Sequence, residues 1–144
     1  MNPPLLRLWK IARHWDLDVR FDSTDSTGGP SYIPATRKQR RYRENLRGYI
    51  ELGDPRPIEF ARNPKWFEER VAKNLAHELG HFLIAPPGRR YRRDYGIPPI
   101  GGRTAEMVIK WDLDEAKAIL VEHFLYRRCG FRFRIPKEPL GGVY

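Results

Sequence analysis

Apolar residues recur at intervals of three and four in three parts of the chain, which is the period of an amphipathic helix. The first part, 5–15, follows a pair of prolines. The second begins at Asn63-Pro64, an N-cap residue with proline at the first helical position, and stops at Pro86-Pro87-Gly88. The third lies within 104–128. We therefore expect three helices, of which the last two are the principal ones.

Short runs that alternate apolar and polar residues predict a small sheet. These runs are 18–22, 31–35, 48–52 and 57–61, with a turn at Gly53-Asp54-Pro55 between the last two. The Ser/Thr/Asp/Gly-rich stretch between the first two runs is typical of a loop. Strands and helices in separate stretches predict an α+β fold: an N-terminal helix, a short twisted sheet, a central helix and a C-terminal helix.

Composition is that of one folded domain, which we place at 1–144. The 144 residues are 40% hydrophobic and 12% aromatic, enough to bury a core. No apolar run approaches the roughly 18 residues of a membrane span, and Arg7 and Lys10 interrupt the N-terminal segment, unlike a signal peptide. Cys129 is the single cysteine, so no intramolecular disulfide can form. We expect a cytoplasmic protein without membrane contact.

The net charge of +9 comes largely from three basic clusters. Their members are Arg37, Lys38, Arg40, Arg41, Arg43 and Arg47; Arg89, Arg90, Arg92 and Arg93; and Arg127, Arg128, Arg132, Arg134 and Lys137. Such clusters attract polyanions, so a nucleic-acid or acidic-protein partner is one interpretation, and the interleaved Tyr42 and Tyr91 add support for nucleic acid. The alternative is a solvated basic surface, with Arg127 and Arg128 complementing a helix C-terminus.

The run His77-Glu78-Leu79-Gly80-His81 carries the strongest chemical signal. Residues four apart lie on one face of a helix, so both imidazoles can reach the same metal ion. Glu78 borders that face, where it can act as general base toward a zinc-activated water. The alternative is two surface histidines on a solvated helix. A glutamate between them in an apolar-striped helix favours the metal site.

Two histidines leave a zinc site incomplete, because a catalytic site needs a third protein ligand beside a water. A histidine six residues after His81 would mark a metzincin, but Pro87 stands there. We therefore expect a carboxylate from the helix within 104–128. The candidates are Glu106, Asp112, Asp114, Glu115 and Glu122.

Glu115 is the preferred third ligand, because it lies on a stripe that should face the core, where a metal would compensate a buried carboxylate. The stripe consists of Val108, Trp111, Glu115, Ala118, Glu122 and Leu125, and a second apolar stripe beside it consists of Leu113, Ala116, Leu120 and Phe124. Glu122 and Glu106 are the next candidates. A helix that starts at Asp112 is a further possibility, since Glu115 would then only close a capping box.

These residues resemble the ImmA/IrrE metallopeptidases. The similarity rests on Ile58-Glu59-Phe60, on the Ala-His-Glu-Leu-Gly-His run at 76–81 and on the Glu-Ala-Lys-Ala segment that begins at Glu115. In that family a short strand precedes the HExxH helix, and a later helix carries a Glu followed by alanines; Lys117 replaces a common Asn. The Pro- and Arg-rich loop at 85–102 departs from the family pattern. The resemblance implies a cytoplasmic, zincin-like zinc protease that cleaves a DNA-binding repressor.

We therefore predict a metallopeptidase that binds Zn²⁺ through His77, His81 and Glu115, with Glu78 as the catalytic base. Its partner would be a protein substrate, with nucleic acid as a further partner of the basic clusters. Tyr91, Tyr95 and the loop arginines are candidates to stabilise an oxyanion by position only.

Two other functions compete with this prediction. One resembles the SprT-like proteases, which a basic surface recruits to DNA and its protein adducts. The other is a non-catalytic zinc-containing module that binds nucleic acid or protein. Glu78 argues against the module, because a structural zinc site needs no general base.

Overall fold

A computed structural model describes residues 3–21, 30–52, 64–97 and 104–131 of the chain. Within these ranges the elements are α1 (Pro3–His14), β1 (Leu17–Arg20), β2 (Ser31–Pro34), α2 (Arg37–Tyr42), β3 (Gly48–Glu51), α3 (Pro64–Ile84) and α4 (Ala105–Arg128). Two short 3-10 helices, Pro87–Tyr91 and Arg93–Gly96, follow α3. The predicted α+β class is confirmed. The predicted strand at 57–61 and the turn before it lie outside the described residues.

The three strands form one mixed sheet in the order β1-β3-β2. β1 runs parallel to β3 and β2 runs antiparallel to it, with Val19 and Tyr32 both in register with Ile50. All four residues of β3 are buried, as expected of a central strand covered on both faces. The strands predicted from alternation at 18–22, 31–35 and 48–52 are therefore confirmed, with ends that differ by two residues at most.

Helices α1 and α3 cover the sheet through their apolar stripes. Leu8 and Ala12 of α1 and Leu75, Leu79 and Phe82 of α3 are fully buried, at the spacings of three and four that predicted these helices. They join the core residues of the sheet in one cluster. The HExxH residues are therefore held on a helix whose opposite face is anchored in the core.

Helix α2 lies in the first basic cluster and was not predicted. Thr36 is its N-cap: its side chain accepts a hydrogen bond from the backbone N–H of Gln39, whose side chain accepts one from the N–H of Thr36. This reciprocal pair is a capping box, and it was the available sequence signal. No residue of α2 is buried, so no apolar period marked the helix.

Helix α4 begins at Ala105, with the Thr104 side chain accepting from the N–H of Met107. A start at Asp112 is therefore wrong, and Glu115 lies well inside the helix rather than in a capping box. Trp111, Ala118, Glu122 and Leu125 are buried as the predicted stripe requires, whereas Val108 is exposed. The second stripe faces solvent, with Leu113, Leu120 and Phe124 all more than half exposed. None of the described helices has the length and apolarity needed to cross a membrane.

Candidate metal centre

Helices α3 and α4 pack in direct backbone contact at Gly80. A Cβ built on Gly80 would lie 2.6 Å from the carbonyl oxygen of Ala118, closer than real Cβ contacts come. Only glycine allows this approach without a shift of one helix. The contact lies beside both histidines of α3, and it brings the middle of α4 opposite them.

His77, His81 and Glu115 meet at this crossing. Nε2 of His77 lies 2.8 Å from one carboxylate oxygen of Glu115, and Nε2 of His81 lies 2.9 Å from the other. The two Nε2 atoms are 3.2 Å apart. One ligand atom from each residue lies within 4.8 Å of the others, so the group can hold a metal ion. These are the three residues that the sequence predicted as ligands.

Glu122 contacts His77 from the opposite side of the ring. Its carboxylate oxygen Oε1 lies 2.9 Å from Nδ1 of His77, and only 5% of its side chain is exposed. In the neutral ring that a metal ion requires, a carboxylate at Nδ1 accepts the ring proton and leaves Nε2 as the ligand atom. Glu122 is therefore placed to orient a ligand and stands outside the ligand group itself. Glu106 and Asp112, which the sequence also offered as ligands, are exposed on α4 and lie outside that group as well.

The electrostatics of the cluster follow from these contacts. Burial lowers the pKa of His77, but hydrogen bonds to Glu115 and Glu122 outweigh it and raise the pKa to about 10. Burial would raise the pKa of Glu115, yet hydrogen bonds from His77 and His81 hold it below its ordinary value. Both carboxylates thus stabilise positive charge on the His77 ring, and Glu115 does so on the side where the three candidate ligands meet.

Glu78 is buried beside the cluster without joining it. Burial raises the pKa of the Glu78 carboxyl, and the positive charges of His81 and His77 counteract the rise in part. The backbone carbonyl of Glu78 accepts a hydrogen bond of 3.3 Å from the hydroxyl of Tyr95. The predicted general base is therefore held between the two histidines and the loop that follows α3.

Tyr95 is part of a fixed turn that sequence analysis missed. Asp94 and Tyr95 adopt left-handed backbone angles, which are rare for residues other than glycine. Asp94 Oδ1 accepts from the backbone N–H of Tyr32 at 2.8 Å, and the Tyr95 ring stacks on the Tyr32 ring at 4.6 Å. The turn thus ties strand β2 to the backbone of the HExxH helix. No motif in the sequence signals these long-range contacts.

The two tyrosines considered for an oxyanion have different surroundings. The Tyr95 side chain is buried and its hydroxyl already donates to α3, while Tyr91 is 72% exposed. Burial also raises the pKa of Tyr95 well above its ordinary value. Tyr95 therefore helps to hold the backbone at Glu78 in place. Of the two tyrosines, Tyr91 is the one whose ring faces solvent and could contact a substrate.

The basic clusters differ in how far they are engaged in the fold. All six basic residues of the first cluster are exposed on and around α2. In the second, Arg90 donates from Nε to the carbonyl of Phe82 at 3.0 Å and covers the Phe82 ring. Arg127 and Arg128 are exposed at the end of α4, and the rest of the third cluster lies outside the described residues. Arg90 is thus a structural residue, whereas the first cluster is exposed to solvent, with Arg43 paired to Asp18.

Comparison of the chain with models of protein families, with curated proteins and with solved structures found no match.

Proposed function

We propose that this chain is a zinc-dependent metallopeptidase with a zincin-like site, similar to the ImmA/IrrE proteases. The observation that carries the proposal is the convergence of His77, His81 and Glu115 on one point, with Glu78 buried beside them. A purely structural metal site would gain nothing from a carboxylate of raised pKa at that position. Hydrolysis by an activated water requires such a group.

The donor set suits zinc. Two imidazole nitrogens and a carboxylate are a usual ligand set for a catalytic zinc, which keeps a fourth position for water or substrate. Tetrahedral ligands about 2.0–2.1 Å from the ion lie about 3.3 Å from one another. One nitrogen of each histidine and one carboxylate oxygen of Glu115 lie within 4.8 Å of one another, so modest side-chain adjustments would bring all three into contact with one ion.

Each residue has a distinct task in the proposed reaction. When bound, zinc supplies Lewis-acid polarisation of the scissile carbonyl and lowers the pKa of a water toward about 7. The Glu78 carboxylate takes the proton of the attacking water and delivers it to the leaving amine. Burial raises the pKa of Glu78 above its ordinary value, which makes the carboxylate a stronger proton acceptor. Glu122 holds the His77 ring, and Tyr95 holds the backbone at Glu78.

The substrate is a protein, and the resemblance to ImmA/IrrE proteases points to a DNA-binding regulator. A second candidate is a SprT-like protease that acts on proteins at DNA. The exposed basic residues around α2 support that second candidate, because they present an unburied cationic surface to a polyanion. DNA-stimulated proteolysis would distinguish the two. A non-catalytic module would not account for Glu78, because a structural zinc site needs no general base.

The experiment compares wild type with Glu78→Gln, both reconstituted with zinc, on unfolded alkylated casein with fragments read by mass spectrometry. Glu78→Gln should keep its zinc and melting temperature and lose at least about 100-fold in rate, since an amide cannot accept the proton. Asp112→Asn makes the same chemical change at an exposed position of α4 and should cleave like wild type. Equal rates for Glu78→Gln and wild type would overturn the proposal.

A further inference from the structure

A recess of about 430 Å³ opens where the loop after α3 faces the first turns of α4. Its walls include Arg89 and Arg92 from the loop and Lys110 and Trp111 from α4; a proline and two glycines complete them. Among the described residues, no carboxylate lines it. The recess is therefore a concave, cationic surface with one aromatic wall.

The cations of this recess are only partly neutralised. Arg89 lies 3.6 Å from Asp114, outside the lining. Neither Arg92 nor Lys110 has an ion-pair partner within the described part of the chain; Lys110 instead lies 4.8 Å from the Trp111 ring. Three cations held close together in a recess favour an anionic group between them.

Trp111 supplies a second, independent observation. The residue is 8% exposed, and its Nε1 is buried without a hydrogen-bond partner in the described structure. A buried indole N–H normally has an acceptor, because an unpaired donor is costly. Arg89 also lies over the ring, 4.9 Å from its centroid. The Nε1 atom has almost no accessible surface of its own, so an acceptor oxygen of a ligand would satisfy this donor once a side chain that covers it moves aside.

The recess lies next to the metal centre. Trp111 precedes Glu115 by four residues on α4, which is one helical turn or about 6 Å along the axis. Asp114, the partner of Arg89, is the neighbour of Glu115 in sequence. A polypeptide with its scissile bond at the cluster would therefore place a side chain one or two residues away within reach of the recess.

We propose that this recess is a substrate subsite that selects an acidic side chain, Asp or Glu, next to the scissile bond. The inference rests on the proposed peptidase function and adds the substrate class to it. A carboxylate fits the fork of an arginine, the ammonium of Lys110 and an indole N–H at once. A peptide is favoured over nucleic acid because the recess adjoins the catalytic group, whereas the exposed cations around α2 offer a polyanion an open surface.

Binding can be tested without catalysis on zinc-loaded Glu78→Gln protein. The probes are two capped pentapeptides, Ala-Ala-Glu-Ala-Ala and Ala-Ala-Gln-Ala-Ala, and the readout is the indole N–H resonance of Trp111, assigned with Trp111→Phe. The Glu peptide should shift that resonance with a Kd about tenfold lower than the Gln peptide. In Arg92→Gln/Lys110→Gln the discrimination should vanish. Lys117→Gln, an exposed change on the same helix, should keep it.

Cleavage of a random peptide mixture by active protein provides the second readout. Acidic residues should be enriched at one fixed position beside the cut, and the double variant should lose that enrichment while it retains zinc. Discrimination between the probes without any cleavage would support the subsite and count against the peptidase. Cleavage without acidic preference, together with equal binding of the two peptides, would overturn the subsite alone. An oligonucleotide of matched charge that shifts Trp111 more strongly than the Glu peptide would also overturn it.

Discussion

Oε1 of Glu122 lies 2.9 Å from Nδ1 of His77. This contact is on the side of the ring that faces away from the other candidate ligands, His81 and Glu115. The pair joins α4 to α3 across a separation of 45 residues in sequence. When the ring is neutral, the pair keeps the ring proton on Nδ1, and Nε2 is then the nitrogen that can bind a metal. The Glu122 carboxylate thus orients His77 as a candidate ligand without belonging to the ligand group itself.

Glu122→Ala should weaken zinc binding by about 10- to 100-fold without abolishing it, because His77 would lose its orienting acceptor and keep its ligand atom. Glu122→Gln retains an acceptor oxygen and should lose less. A chelator competition at pH 7 measures both affinities. If Glu122→Ala releases zinc as completely as removal of a histidine does, Glu122 is itself a ligand.

Removal of any true ligand should have a larger effect. His77→Ala, His81→Ala and Glu115→Ala should each reduce the metal content from close to one zinc per chain to a small fraction, because two remaining ligands hold zinc poorly. Metal analysis of dialysed protein measures this content. Glu106→Ala removes an exposed glutamate of the same helix and should leave the content unchanged. Zinc retained in full by Glu115→Ala would exclude Glu115 as the third ligand.

Gly80→Ala should destabilise the protein by about 1–3 kcal/mol and weaken zinc binding, because the new Cβ would collide with the carbonyl of Ala118 and force the helices apart. Helix propensity alone predicts the opposite sign, a gain of about 1 kcal/mol. Gly88→Ala is the matched control, since nothing lies within 4 Å of its added Cβ. Chemical unfolding of both variants shows whether the free energy of unfolding falls or rises, and zinc titration measures the change in affinity. A Gly80→Ala protein more stable than wild type would contradict the close helix contact.

The sequence predicted those parts of the fold that are encoded by local periodicity. Helices α1, α3 and α4 and the strands of the sheet each have an apolar period, and the HExxH spacing placed two histidines on one face. Glu115 and Glu122 could not be separated in this way, because residues seven apart share a face of a helix. Their roles depend on where α4 crosses α3, and the crossing depends on the contact between Gly80 and Ala118.

The loop after α3 was the least predictable part of the site. Tyr95 reaches the backbone of Glu78 only because Asp94 binds strand β2 and the turn adopts left-handed angles. Each contact joins residues far apart in sequence and leaves no spacing pattern. Arg90 likewise belonged to a cluster that suggested a binding surface, yet it packs on Phe82. Clustered charges and turn-forming residues predict that a loop is present. They do not predict which residues the loop contacts.

Because the candidate ligands are divided between α3 and α4, metal binding would tie the folding of the chain to the supply of metal around it. An ion that binds only the folded state adds stability in proportion to the logarithm of its free concentration, about 1.4 kcal/mol for each tenfold rise above Kd. The two helices would therefore be held together most firmly where free metal is abundant. Under chelation, that added stability would be lost from the contact between α3 and α4. The amount of folded protein would then follow the metal status of its surroundings.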